Sequence, residues 1–165
     1  MRHLFAEPLT ECRRGVSIIE LALTSGRHDT YSKLTSTLIS QSLFPNTEDG
    51  VMDIKSHIKV IDQTLERVPK GVTCIVYITG LAILMQALNI SWMKRVNAID
   101  YPVLKGKLIL AHWNRESQSY KLLCSESGIE WFPPQGSRLI QLPNLTEKRN
   151  QIYPISVFLV VRFKN

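Results

Sequence analysis

The sequence is short of the residues that anchor most recognisable chemistry. Cysteine occurs only three times, at Cys12, Cys74 and Cys124. Three is an odd number and the spacings match no metal-ligand pattern, so neither a disulfide framework nor a zinc site is indicated. Cys74 and Cys124 sit inside apolar, strand-like runs, which reads as free, buried thiols of a reducing compartment. The four histidines, His3, His28, His57 and His112, are not paired with another His, Cys or acid at ligand spacing. No metal and no cofactor is therefore expected. Glycine forms no phosphate-cradling run, since Gly71 and Gly80 stand alone. A strand–Thr79–Gly80–helix order would place a helix N-terminus where an anion can sit. A lone glycine serves equally to release the chain from the strand.

Acidic residues total only 14 and form no carboxylate pair inside an apolar frame. No nucleophile elbow surrounds any serine. His112, beside Arg115 and Glu116, has the residue types for acid–base work, but an ordinary polar group near a turn has them too. These absences exclude the contiguous catalytic signatures and leave only an enzyme with a non-contiguous site.

Long apolar runs are missing as well. The stretch from Ile75 to Ile90 is interrupted by Thr79, Gly80, Gln86 and Asn89 and falls short of a transmembrane candidate. Met1 to Gly15 has no apolar h-region, so no secretion signal is expected and the sequons at Asn89 and Asn144 read as chance matches. An intracellular location follows as the expectation, in the cytoplasm or nucleus of a host, or in a virion. No repeat, low-complexity segment or arginine-rich arm occurs.

What the chain does have is core material and positive charge. Its 165 residues are 44% apolar, enough for one domain without staples. A polar lead-in over 1–14 precedes a single domain over 15–165. Val16 to Thr24 reads as a largely buried strand whose only charge is Glu20. Asp29 is placed to cap a helix over Thr30 to Leu43, with Tyr31, Leu34 and Leu38 on one stripe. Val51, Ile54, Ile58, Ile61, Leu65 and Val68 recur at spacings of 3, 4, 3, 4 and 3, which predicts an amphipathic helix facing the core. Val72 to Thr79 is apolar on both faces, as a central strand should be. Leu81 to Leu88 reads as a short helix or a strand, and Trp92 to Ile99 as a possible strand. Val103 to Trp113 and Ser119 to Cys124 form an expected hairpin in which Trp113 pairs with Tyr120. Short strands are expected over Arg138 to Leu142 and Ile155 to Phe163. This order predicts an α+β fold, a single domain with a mostly antiparallel or mixed sheet of about five to seven strands and two or three helices on one face.

The formal net charge of +6 permits nucleic acid, anionic lipid or an acidic protein as partner. Basic residues come in scattered pairs. Lys94 and Arg95, then Lys105 and Lys107 on one strand face, are the candidate contacts to an anionic surface. Trp92-Met93-Lys94-Arg95 and Trp113-Asn114-Arg115 interleave aromatics with charge, as single-strand nucleic-acid binders do.

A basic chain of 18.8 kDa with a strand–helix opening over Val16 to Leu43 and a β-rich second half resembles the small matrix proteins of plant rhabdoviruses in overall plan. Phe132-Pro133-Pro134-Gln135 looks like the start of a proline-based late-domain motif of animal-virus relatives, but Gln135 and Gly136 replace its tyrosine ending, so that function does not carry over. The resemblance implies self-association as a homo-oligomer, nucleocapsid condensation and contact with a membrane or a glycoprotein tail. The leading expectation is a non-catalytic structural or interaction protein that is matrix-like and bridges nucleoprotein or RNA and an anionic membrane surface, with no small-molecule substrate. A basic single-stranded nucleic-acid binder and a small intracellular enzyme are the alternatives.

Overall fold

The computed structural model describes residues 15–25, 29–44, 53–79, 82–98 and 106–142. Within them the chain forms β1 (Ser17–Thr24), β2 (Ser42–Phe44), α1 (Ile54–Glu66), β3 (Thr73–Tyr77), α2 (Ala82–Asn97), β4 (Leu108–Asn114), β5 (Ser119–Cys124) and β6 (Arg138–Leu139). The strands make one sheet in the order β2-β1-β3-β4-β5. The outer edge of β1 is shared, with β6 beside Ser17 and Ile18 and β2 beside Ala22 and Thr24. Gln41 bridges these two short strands as a peptide group would: its Nε2 donates to the Leu142 carbonyl at 3.2 Å, and the Leu142 amide donates to its Oε1 at 3.0 Å.

The fold is α+β, a mixed sheet with two helices on one face. Every strand pairing is parallel except the β4–β5 hairpin. Parallel neighbours need crossovers. The steps β2–α1–β3 and β3–α2–β4 run the same way across the sheet, so the right-handed rule puts both helices on the same side. The step from β1 to β2 runs the other way, and its connection lies on the opposite face, where Leu34 and Ile39 pack.

Alternation along each strand then feeds two cores. Ile19, Leu21 and Leu23 of β1, Cys74 and Val76 of β3 and Leu108 of β4 meet Ile61, Leu65, Leu84, Leu88 and Trp92 of the helices. Ile18, Ile75, Tyr77, Ile109, Ala111 and Leu122 form the second core on the helix-free face. All five residues of β3 are buried, as its position at the centre of a parallel sheet requires. Gly106 sets where β4 can start: a Cβ there would stand 1.9 Å from the Val72 carbonyl oxygen.

Several expectations are corrected. Residues 30–41 are an irregular connection, not a helix, and Asp29 caps nothing there. Ser32 Oγ accepts from the amides of Leu34 and Thr35 at 3.0 Å each, and Ser36 has φ 59. Such serine and threonine bonds compete with helical ones. The cap belongs to Asp53, whose carboxylate accepts from the Lys55 amide at 3.1 Å and the Ser56 hydroxyl at 2.6 Å. Residues 82–97 are one helix, so the strand expected from Trp92 to Ile99 is absent and the helix alternative for 81–88 is realised and extended. Leu84, Ala87, Leu88, Ser91 and Trp92 are its buried residues, spaced as one helical face. The described part of the strand expected over Val103 to Trp113 begins at Leu108. The lead-in over 1–14 and the strand expected over Ile155 to Phe163 lie outside the described residues.

Candidate functional site: the helix-free face of the sheet

Three of the four basic candidates lie among the described residues, Lys94 and Arg95 on α2 and Lys107 beside β4. Lys94 lies on α2 and pairs with Asp62 of α1 at 3.1 Å. Arg95 turns its guanidinium onto the carbonyls of Leu65 and Val68, where it closes the C-terminal end of α1. Its charge thus serves the helix pair. Lys107 is exposed at the start of β4, with its carbonyl accepting from the Cys74 amide at 2.8 Å. Lys105 lies outside the described residues, so the face it shares with Lys107 is not placed.

A different group of polar residues does converge. Glu20 is the one charge of β1, and alternation turns it onto the helix-free face. Its Oε1 accepts from the Tyr77 hydroxyl at 2.6 Å and from the Ser32 hydroxyl at 2.9 Å. The Tyr77 oxygen in turn accepts from the Lys33 amide at 2.8 Å. One strand, its neighbour and the covering connection are therefore joined at a single carboxylate. Burial pushes the Glu20 carboxyl above its ordinary value, and the bonds from Tyr77 and Ser32 offset only part of this. Tyr77 is held protonated by burial, by the adjacent Glu20 charge and by its bond to Glu20.

From Tyr77 a series of rings runs outward. Tyr77 meets Tyr120 edge to face at 4.8 Å, and Tyr120 meets Trp113 at 5.0 Å. Trp113 and Tyr120 are direct cross-strand partners, as their spacing in the sequence implied. Burial raises the Tyr120 phenol, with a bond to Thr30 acting against it. The Lys33 ammonium donates to the Tyr120 carbonyl, so the connection is tied to β5 as well.

The rim of this face is apolar. Trp113 is 52% exposed, Tyr31 53%, Leu38 54%, Ile129 69% and Phe132 72%. Tyr31 and Leu38 face each other across an antiparallel bridge within the connection. Residues 129–131 run along β5, with the Trp131 amide donating to Leu122 at 2.7 Å, and Trp131 packs inward. That pairing leaves Phe132 outside.

A cavity of about 10 Å³ between Ile18, Leu34, Pro133, Pro134, Ser137, Arg138 and Leu139 has room for about one water. A wider groove between α1 and α2, bordered by Lys55, Lys59, Asp62, Glu66 and Lys94, is open to solvent. Among the described residues no cluster of His, Cys, Asp or Glu is arranged for a metal. No helix among them is long and apolar enough to cross a membrane. His112 is exposed opposite Lys121, which offers it no carboxylate to orient a ring for acid–base work. His57 stacks edge to face on Phe44 at 5.4 Å. The Thr79 carbonyl accepts from Thr24 Oγ1 at 3.2 Å just before α2, and Gly80 itself lies outside the described residues.

The Glu20–Tyr77–Ser32 cluster escapes a reading by motif because its members come from three elements. Its one sequence signal is a lone carboxylate in an otherwise apolar strand. No family model, curated protein or solved structure matches the chain.

Proposed function

We propose that the protein is a non-catalytic interaction protein that self-associates through the helix-free face, the matrix-like role that its overall plan suggests. The observation carrying this reading is the set of large apolar side chains on and beside that face, Tyr31 and Leu38 of the connection, Trp113 of β4 and Ile129 and Phe132 of the chain along β5, each at least half exposed. Of the six large apolar side chains exposed among the described residues, Met93 lies on α2 and the other five belong to the connection, to β4 or to the chain along the β5 edge, more than the scattered exposure an ordinary surface carries. Aromatics on a rigid sheet lose little entropy on docking and supply most of the energy of an interface. A second copy is the proposed occupant, with nucleoprotein and an anionic membrane as further partners that a net charge of +6 suits.

Sedimentation velocity over a range of concentrations tests it. The wild-type protein should assemble. The double variant Trp113→Ser, Phe132→Ser should remain monomeric at concentrations where the wild type does not, with little change in its melting temperature. Equal assembly of the two proteins would remove the face from the mechanism.

A second reading rests on the Trp113–Tyr120 ring pair, which has Lys33 at its base and Arg115 in the adjoining turn. Bases stack on such rings while cations meet the phosphates. Binding of a single-stranded oligonucleotide that quenches tryptophan emission, weakens with salt and is lost in Trp113→Ser would favour it over self-association.

A further inference from the structure

The connection over residues 29–41 is held along β5 by Lys33 and Thr30, which bond to Tyr120, and at its end by the Gln41 carbonyl, which accepts from the Ala22 amide at 2.9 Å; between them its polar contacts to the sheet converge on Glu20. Ser32 donates to Glu20, the Lys33 amide donates to Tyr77, and Tyr77 donates to the same Glu20 oxygen. Ser32 also organises the connection, since its oxygen accepts the amides of Leu34 and Thr35. Apolar anchorage comes from Leu34 and Ile39, both only partly buried. Three backbone bonds, from the amides of Ile39 to Thr30 at 2.8 Å, Ser32 to Thr37 at 2.8 Å and Ser36 to Ser32 at 2.9 Å, shape the connection internally.

We propose that Glu20 is a proton-controlled latch: protonation of its carboxyl tightens the hold of the 29–41 connection on the sheet, and ionisation loosens it.

Two opposing effects meet at one carboxyl group. Both donors to Glu20 are neutral hydroxyls. Each helps the charged form, but a carboxylate enclosed by the connection loses its hydration, and a neutral acid loses far less. Lifting the connection returns Glu20 to water. The docked state therefore prefers the proton. The groups facing Glu20 are Tyr77 from β3 and Ser32 from the connection. Beyond them the neighbouring charged or titratable groups are Lys33, whose ammonium is directed to the Tyr120 carbonyl, Tyr120 of β5, and Arg138, exposed on β6. Tyr77 and Tyr120 both titrate above their ordinary range, so neither changes charge where Glu20 does. The direction follows from linkage. The Glu20 pKa in the docked state lies above its ordinary 4.5, so its stabilisation is complete below 4.5 and is lost as pH rises through the docked-state value. Tyr31 and Leu38 travel with the connection, so the shape of the rim follows the same proton.

Hydrogen–deuterium exchange of the full chain tests the latch directly, from about pH 8 down to about pH 4, corrected for the intrinsic pH dependence of exchange. Protection at Lys33 and Ile39 should rise on acidification, by at most about tenfold for each unit by which the docked carboxyl's pKa is raised. Protection in α1 should not follow the same curve. Glu20→Gln keeps an acceptor oxygen and no charge, so it should hold the protected level at every pH. A separate carboxyl carbon-13 titration of wild-type Glu20 should give a midpoint above 4.5, which keeps the test valid if the variant fails to fold. Protection that is flat or that falls on acidification, a Glu20→Gln variant that retains the wild-type curve, or a midpoint at or below 4.5 would overturn the latch. None of these readouts depends on what the rim binds, so failure of the latch and failure of the self-association reading are distinguishable.

Discussion

Cys74 and Cys124 carry the same group in opposite surroundings. Cys74 lies in the centre of β3 against the helices, where burial pushes its thiol up to about 12 and the charge of Arg95 pulls back only slightly. Cys124 ends β5 and is half-buried. Partial burial raises its thiol, but the amides of Glu126 and Ser127, the Ser127 hydroxyl and the charge of Lys107 together outweigh this and leave it below the ordinary value. Because the thiolate is the reactive form, a charged thiol reagent at about pH 8 should modify Cys124 in the native protein and leave Cys74 untouched until unfolding. Peptide mass mapping reads the result. Early modification at Cys74 would mean that the sheet opens between β1 and β4. Thiol counting under denaturing, non-reducing conditions should return all three cysteines. The same attention to surroundings explains the basic residues: Lys94 and Arg95 stand together in the sequence as a charged pair, yet one meets Asp62 and the other closes a helix.

At the scale of elements, α1 shows how a sequence stripe and a buried stripe differ. Ile54, Ile58, Ile61 and Leu65 share a face, but only Ile61 and Leu65 are fully buried. Ile58 borders the open groove that runs between α1 and α2 beside Lys59 and Asp62. Ile61→Ala should therefore destabilise the protein by about 2–5 kcal/mol, and Ile58→Ala by less than about 2 kcal/mol, in denaturant unfolding. Equal costs would mean that the groove is closed in solution. Strands β1 and β3, helix α1 and the β4–β5 hairpin were legible because each carries a strong period or a pair of matched aromatics. The connection over 30–41 was not. Its apolar residues mimic a helical stripe, while the Ser32 oxygen takes up the amides of Leu34 and Thr35 and the hydroxyls of Thr35 and Thr37 bond each other. α2 was cut short because Leu81 to Leu88 and Trp92 to Ile99 were read as separate elements; Ser91, between them, is a buried helical position whose hydroxyl reaches the Ile58 carbonyl at 3.4 Å. The parallel order of the sheet depends on crossovers between distant segments, and no local pattern encodes it. Of the candidate site, the Trp113–Tyr120 pair was legible and Glu20 was visible only as an oddity. Its partners, Ser32 and Tyr77, are brought to it by topology.

At the scale of the whole molecule, the two faces of the sheet have different fates. One is closed by α1 and α2, which Arg95 joins through the carbonyls of Leu65 and Val68 and Lys94 through a surface ion pair with Asp62. The other is closed by irregular chain that leaves a rim of aromatic and aliphatic side chains in water. A surface of that kind gains free energy when a partner covers it, and the charges at its margin set how steeply the gain depends on salt. The account stands or falls on which face is covered on association. Hydrogen–deuterium exchange of dilute and concentrated protein at one pH measures this. The account predicts added protection over residues 29–41, 113–120 and 129–132, with the solvent faces of α1 and α2 unchanged. Protection that appears on the helices instead, or none at any concentration, would contradict it.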